Sequence, residues 1–244
     1  MPTFRINFRS EALGQAIDIN AVVPDKLDSE TAVMYLLHGR SDDCNAWLDN
    51  TSLLRYAQNY NFLIVMPEVR LSYYADEYMG QNYWTYLTTE LPLHIENWFK
   101  VNPKSKRFVA GLSMGGYGAF KWALNKDDYF TGAASLSGAV DVLALWQRDK
   151  ERNDELKRVF RSKRYFAKSE NNLVHLLKTQ TYEETYFLQM CGTEDFLIED
   201  NRGFKQLAQT QIENYEYLEH PGDHNWEYWD MAIQIVLERF GELM

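Results

Sequence analysis

Phe108-Val-Ala-Gly-Leu-Ser113-Met-Gly-Gly-Tyr-Gly118 is the stretch on which the reading of this chain turns. Phe108–Ala110 is a short apolar run of the kind that fills a strand buried on both faces. Gly116–Leu124 carries a helical pattern. Between them, Gly111, Ser113 and Gly115 form G-x-S-x-G. A strand that turns sharply into a helix at a serine exposes the hydroxyl at the sheet edge, and small neighbours let strand and helix approach. The helix then starts at the serine, so its free amides and positive dipole end face any negative charge developing there. Taken alone, the string also fits a glycine-rich turn with an incidental serine.

The pattern around this motif sets the fold class. Apolar residues alternate at Phe4, Ile6 and Phe8 and again at Ile17, Ile19, Ala21 and Val23, the period of half-buried antiparallel strands. Val33–Leu37, Phe62–Met66, Ala133–Leu136 and Tyr186–Met190 are continuous apolar runs, as in a parallel sheet. Helical patterns lie between them at Thr51–Tyr60, Tyr83–Lys100 and Phe196–Gln209, and Trp226–Phe240 closes the chain. Tyr215–His220 reads as a further strand. Strand–helix alternation predicts an α/β fold, with a mostly parallel central sheet, antiparallel N-terminal strands and helices on both faces. Asp141–Thr179 interrupts the rhythm with charge-rich helical sequence. It reads equally as one long crossover or as a helical cap over a pocket. No Gly/Ser/Pro-rich linker divides residues 1–244, which predicts one domain.

Composition removes several function classes. The 244 residues carry 35 acidic and 25 basic side chains, a formal charge of −10. A nucleic-acid surface needs clustered Lys and Arg, so no nucleic-acid partner is expected. No apolar run approaches the ~18 residues of a membrane span. The N-terminus shows no signal-peptide pattern, and Cys44 and Cys191 are too few for a disulfide framework. The expectation is a cytoplasmic protein with reduced thiols and no membrane contact.

A serine hydroxyl needs a base within hydrogen-bond reach, and the base needs an orienting acid. In an α/β-hydrolase the chain order is Ser, acid, His. His175, His220 and His224 follow Ser113. His175 sits among Leu173, Val174, Leu176 and Leu177, where packing is its expected role. His224, in Pro-Gly-Asp-His-Asn-Trp just before the last helix, is the candidate base. Pro221 and Gly222 preclude a helical His220–His224 zinc pair, and Asp42 and Asp43 have no third ligand at sensible spacing, so no metal is expected. For the acid, Cys191-Gly-Thr-Glu-Asp195-Phe follows a buried strand. Asp195 is favoured because it sits at the turn into the next helix; Glu194 is the fallback, and Asp223 would have to fold back awkwardly. The oxyanion donors are expected from the backbone N–H groups of Met114 and of Arg40, in Leu36-Leu-His38-Gly39-Arg40 after the first buried strand. His38 reads as a structural support of that loop.

Leu-Leu-His38-Gly39, Gly111-Leu-Ser113-Met-Gly-Gly, Cys-Gly-Thr-Glu-Asp195-Phe and Gly-Asp-His224-Asn-Trp-Glu-Tyr-Trp together resemble the esterase D-type family, most closely its bacterial tributyrin-esterase branch. S-formylglutathione hydrolases, feruloyl esterases and mycolyltransferases are wider relatives. The resemblance runs from Ala32 to about Phe240. It implies the α/β-hydrolase fold, a triad of Ser113, Asp195 and His224, oxyanion amides at Arg40 and Met114, no cofactor, and a small-molecule ester as substrate. After His-Gly, many relatives carry further Gly and Asn where this chain has Arg-Ser-Asp-Asp-Cys-Asn, so the pocket wall differs. Candidate pocket residues are Tyr83, Trp84 and Trp146, each with core packing as its alternative. The expected function is hydrolysis of short-chain acyl esters. The alternatives are a thioesterase on S-formylglutathione, a feruloyl or acetyl carbohydrate esterase, an acyltransferase, and a non-catalytic binding module. The aromatic content and the resemblance raise a homo-oligomer, dimer or tetramer, as a further expectation.

Overall fold

The computed structural model describes residues 1–244. Its centre is an eight-stranded sheet in the order β1-β2-β4-β3-β5-β6-β7-β8. The strands are β1 (Thr3–Ser10), β2 (Gln15–Val22), β3 (Ala32–Leu37), β4 (Phe62–Pro67), β5 (Arg107–Leu112), β6 (Gly132–Leu136), β7 (Tyr186–Gly192) and β8 (Tyr215–His220). β1 and β2 run antiparallel, β2 joins β4 antiparallel, and every pair from β4 to β8 is parallel. This is the mostly parallel α/β sheet that the alternation predicts and the α/β-hydrolase fold that the resemblance implies. The continuous apolar runs are strands because they are covered twice. Tyr35, Leu37, Val65, Val109 and Ala133 belong to one apolar layer, and Met34, Leu36, Ile64, Phe108 and Ala134 to the other. Successive side chains on a strand point to opposite faces, so only a helix on each side leaves no polar position.

The helices are α1 (Ala46–Asn50), α2 (Leu53–Ala57), α3 (Tyr83–Thr85), α4 (Leu91–Phe99), α5 (Met114–Asn125), α6 (Val142–Arg148), α7 (Asn153–Phe160), α8 (Lys163–Phe166), α9 (Leu173–Thr179), α10 (Ile198–Gln211) and α11 (Trp226–Glu242). Trp47, Leu53, Ala57, Ala232, Val236 and Phe240 place α1, α2 and α11 on one face. Leu91, Ile95, Ala119, Phe120, Phe204 and Ala208 place α4, α5 and α10 on the other. None of these helices is long and apolar enough to cross a membrane.

Two helical expectations change. The Thr51–Tyr60 helix is shorter than expected: within it only α2, Leu53–Ala57, is helical, and the extended backbone at Thr51, φ −134° and ψ 165°, separates it from α1, which the pattern did not show. The Thr51 hydroxyl donates to the Trp47 carbonyl and accepts the Leu53 amide, so one β-branched side chain satisfies both broken ends. The 83–99 helix is continuous but widens to a π-helical turn over Tyr86–Glu90. Pro92 explains part of this. It has no N–H for the Thr88 carbonyl, and its ring needs room there. Lys126 Nζ supplies the missing donor to Thr88 O at 3.2 Å.

The 141–179 segment forms four short helices, α6 to α9. Leu145, Trp146, Leu156, Val159, Phe160, Phe166, Leu173 and Leu177 of these helices are buried in the same apolar layer as α5. Their cohesion comes from aromatic edges, with Phe160 and Phe166 at a centroid separation of 4.7 Å and Trp146 beside both.

Candidate active site

Ser113 occupies the single residue between β5 and α5. Its backbone sits at φ +52° and ψ −114°, a strained conformation for a side chain with a Cβ. Three hydrogen bonds hold it there. Ser113 N donates to Leu136 O at 2.9 Å, and Ser113 O accepts from Tyr117 N and Ala139 N, both at 3.1 Å. The glycines are small because backbone fills the space beside them. A Cβ on Gly111 would lie 2.5 Å from the Gly115 carbonyl carbon, and one on Gly115 would lie 2.6 Å from His38 O. Neither neighbour is a flexible side chain. Gly115→Ala is therefore expected to lower stability by about 1–3 kcal/mol, as overpacking does. Urea unfolding of the purified variant checks this, and an unchanged midpoint refutes it.

His224 lies in the loop between β8 and α11. Its Nδ1 is 2.8 Å from Asp195 Oδ2 and its Nε2 is 3.0 Å from Ser113 Oγ. The structure thus brings together three side chains from three separate loops at the carboxyl edge of the sheet. An ionised carboxylate only accepts, so Nδ1 carries the proton and Nε2 is the acceptor facing the serine hydroxyl. The Asp195 carboxylate is fully enclosed, and its other oxygen accepts the Leu197 amide at 2.8 Å. The imidazole is gripped by rings, with Phe196 at 4.6 Å and Trp229 at 5.0 Å between centroids.

Glu194 does different work. Its Oε2 accepts the Gly222 amide at 2.6 Å and the Thr193 hydroxyl at 2.8 Å. The Gly222 bond, with the Thr193 one, keeps the Glu194 carboxyl below its usual pKa. Glu194 N donates in turn to Gly222 O at 3.0 Å. The two acids therefore divide the loop between them: Asp195 meets the imidazole, and Glu194 fastens the backbone that carries it. His220 is one of the alternatives for the base; its ring faces neither Ser113 nor Asp195 in any hydrogen bond, and its Nδ1 is buried without a partner.

The loop after β3 approaches Ser113 from the other side. A Cβ on Gly39 would meet Asp42 Oδ2 at 2.7 Å and Ser113 Cβ at 3.7 Å, so loop, carboxylate and serine share one small space. His38 is buried and structural. Its Nδ1 donates to Gly39 O at 2.8 Å, its Nε2 accepts the Val69 amide at 3.1 Å, and its carbonyl accepts the Tyr74 hydroxyl at 2.7 Å. Asp42 accepts the Gly39 amide at 3.2 Å, and burial pushes its carboxyl above the usual pKa. The Arg40 amide donates to no acceptor within the chain. The Met114 amide opens α5, where first-turn N–H groups have no intrahelical acceptor.

The three aromatic pocket candidates lie elsewhere in the packing. Tyr83 is buried at the start of α3, and Trp146 is buried against Phe160 and Phe166 with its Nε1 donating to Asn153 Oδ1 at 3.2 Å. Trp84 meets Trp122 edge to face and carries the Lys121 ammonium 4.0 Å from its ring centre. Trp84 also lines a cavity of about 240 Å³ with Asp76, Lys121 and Asn171. No hydrogen bond or ring contact joins any of the three to Ser113 or His224. Phe196 and Glu155, which do border the site, were not read from the sequence. Phe196 stands next to Asp195 in the chain, and that adjacency was the available signal. Glu155 meets Arg40 across 115 residues, and no local pattern announces that. No group of three or more His, Cys, Asp or Glu side chains is placed to hold a metal ion.

The chain can now be set beside known proteins. The family described as "Putative esterase" matches residues 10–239. An acetyl esterase of Caldicellulosiruptor saccharolyticus is 29% identical over 98% of this chain and 97% of its own. The substrate-bound structure of FphF, a fluorophosphonate-binding serine hydrolase of Staphylococcus aureus, superposes with a TM-score of 0.88. It is 29% identical and covers 98% of this chain and 97% of its own. FrmB, an S-formylglutathione hydrolase of the same organism, superposes at 0.84 with 28% identity and 98% coverage of both chains. With an α/β-hydrolase sheet, a strained serine at the strand–helix turn and a family match over nearly its whole length, the chain belongs to the esterase family of serine hydrolases.

Proposed function

We propose that this chain is a carboxylesterase that hydrolyses short-chain acyl esters through an acyl-enzyme on Ser113. The observation that carries this is the continuous hydrogen-bonded chain from Ser113 Oγ through His224 to the enclosed Asp195. In this reading His224 Nε2 takes the hydroxyl proton as Ser113 attacks the ester carbonyl. Asp195 keeps the proton on Nδ1 and stabilises the imidazolium. The Met114 and Arg40 amides receive the oxyanion of the tetrahedral intermediate, where the loss of one donor typically costs about 3 kcal/mol. The imidazolium then protonates the departing alcohol, and water releases the acyl group by the same steps in reverse. The resting site needs little reorganisation, because the Met114 amide follows directly on the strained turn and the imidazole is already hydrogen-bonded on both sides.

The short acyl preference is supported by the acetyl esterase likeness. A second reading, a thioesterase acting on S-formylglutathione, is supported by the likeness to FrmB. The two share machinery and differ in leaving group. A panel of p-nitrophenyl acetate, butyrate and octanoate beside S-formylglutathione separates them. The carboxylesterase reading expects kcat/KM on acetate or butyrate to exceed that on octanoate by roughly tenfold or more. It also expects the p-nitrophenyl esters to outpace the thioester. Faster turnover of S-formylglutathione selects the second reading, and failure to turn over any of the four sinks both.

A further inference from the structure

The helical insertion and the loop after β3 meet at one ion pair. Arg40 Nε donates to Glu155 Oε1 at 2.9 Å, and Arg40 Nη2 donates to Glu155 Oε2 at 2.7 Å. Two parallel bonds set direction as well as distance. The pair is sheltered, with Glu155 14% and Arg40 34% exposed, and the contact holds the guanidinium more firmly in its charged form.

Each partner stands on a different footing. Glu155 lies in the first turn of α7, where free amides favour a carboxylate. The far end of α7 is fastened separately. The Tyr78 and Met79 amides donate to the Val159 and Arg158 carbonyls, both at 2.9 Å. Arg158 pairs with Glu77 and donates to Leu71 O at 3.0 Å. Glu155 is thus presented by an anchored helix. Arg40 stands on the opposite kind of support, a short turn in which Ser41 takes a left-handed φ of +73°. Within that turn the Arg40 amide has no acceptor, while its side chain donates to both Glu155 oxygens and, at 3.5 Å, to Ser41 Oγ.

An ordinary exposed Arg–Glu pair contributes little to stability. The importance of this one lies in where its arginine sits: the residue whose guanidinium is clamped is the residue whose N–H, free of any acceptor in the chain, is read as an oxyanion donor. We propose that Glu155 is a positioning residue for ester hydrolysis, holding the Arg40 amide on the oxyanion through the two-pronged contact with the Arg40 side chain. The insertion is then part of the machinery that stabilises the intermediate. This rests on the reading of Ser113 as nucleophile and of the Arg40 amide as oxyanion donor.

The test uses the full chain, p-nitrophenyl acetate as substrate, and active-site titration with a fluorophosphonate so that kcat is expressed per reactive serine. Glu155→Ala is expected to lower that kcat about 10- to 100-fold, the scale of a misplaced donor, with KM changed less than about threefold. Arg40→Ala is expected to lose the same amount, and the double variant no more than either, because the two act as a unit. Arg40→Lys keeps the charge and most of the packing but loses the fork. It is expected to fall between, and it carries the test if Glu155→Ala folds poorly. A merely structural role lowers the titratable fraction and leaves kcat per site alone, and that result overturns the proposal. So do single losses that multiply in the double variant. A wild-type protein that neither labels nor turns over the ester removes the underlying reading and this inference with it; an active wild type with unchanged variants removes this inference alone.

Discussion

Ser113→Ala is expected to abolish covalent labelling by a fluorophosphonate and to lower kcat on p-nitrophenyl acetate roughly 10⁵- to 10⁶-fold. The loss is large because, in the proposed mechanism, the hydroxyl is the atom that forms the acyl-enzyme. His224 Nε2 faces only Ser113 Oγ, 3.0 Å away, so it has no second hydroxyl to activate. Any residual rate is expected from the proposed oxyanion amides acting on water. Stability should barely move. Alanine keeps the Cβ that the strained turn already tolerates, and the bonds that hold residue 113 are made by its backbone, to Leu136, Tyr117 and Ala139. A lost rate with a preserved melting temperature therefore separates chemistry from folding. His224→Ala is expected to cost a similar amount, and the pair of changes no more than either alone, because the hydroxyl without its base is as idle as the base without its hydroxyl. Strong labelling of Ser113→Ala sinks the assignment.

The strands were legible because burial on both faces leaves a signature that survives without any tertiary knowledge. Val33–Leu37 and Phe62–Met66 contain no polar residue, and the observed strands extend them by at most one residue at an end. The serine was legible for a different reason: only glycine fits where the Gly115 Cα meets the β3 carbonyls, so packing writes itself into a local motif. The short α1 before Thr51, and the start of α2 only at Leu53, were not legible. A threonine that bonds back to Trp47 and forward to Leu53 looks, in sequence, like any polar helix residue. The π-helical turn was hidden because apolar spacings of three and four fit both helix types, and the compensating donor, Lys126, lies beyond the end of another helix. The oxyanion loop shows the same limit. His38-Gly39-Arg40 could be recognised as a turn, but the partner of the Arg40 side chain lies in the insertion at Glu155. Of the aromatic pocket candidates, Tyr83 and Trp146 are buried, as are the nearby Tyr73, Tyr74 and Tyr86, because this chain places many of its aromatic rings in its core. Local backbone demands and two-sided burial can be read from a chain; pairings between distant side chains cannot.

Asp195→Asn and Glu194→Gln form the sharpest comparison, since the sequence sets the two acids side by side and only geometry tells them apart. In Asp195→Asn the amide oxygen can keep the Leu197 N–H, so the turn should hold its shape. What changes is the other atom. An amide NH₂ beside His224 Nδ1 is a donor where the carboxylate was an acceptor, and it pulls the imidazole proton to Nε2. The ring then presents a donor to the serine and has no lone pair for its proton. The expected loss in kcat is on the order of 10⁴-fold, with KM nearly unchanged. Glu194→Gln keeps an oxygen for the Gly222 amide and reaches neither Ser113 nor His224. It gives up one charge-assisted bond, so its cost is expected to stay within about tenfold. The two variants should also part in stability. Glu194→Gln loosens the clasp between the 192–195 and 220–224 turns and lowers the melting temperature, whereas Asp195→Asn leaves the clasp whole and empties the activity. Steady-state kinetics on p-nitrophenyl acetate with thermal unfolding of the same samples reads both axes. If the order is reversed, so that the glutamine variant is the inactive one, Glu194 is the acid and the hydrogen bond between His224 and Asp195 is only structural.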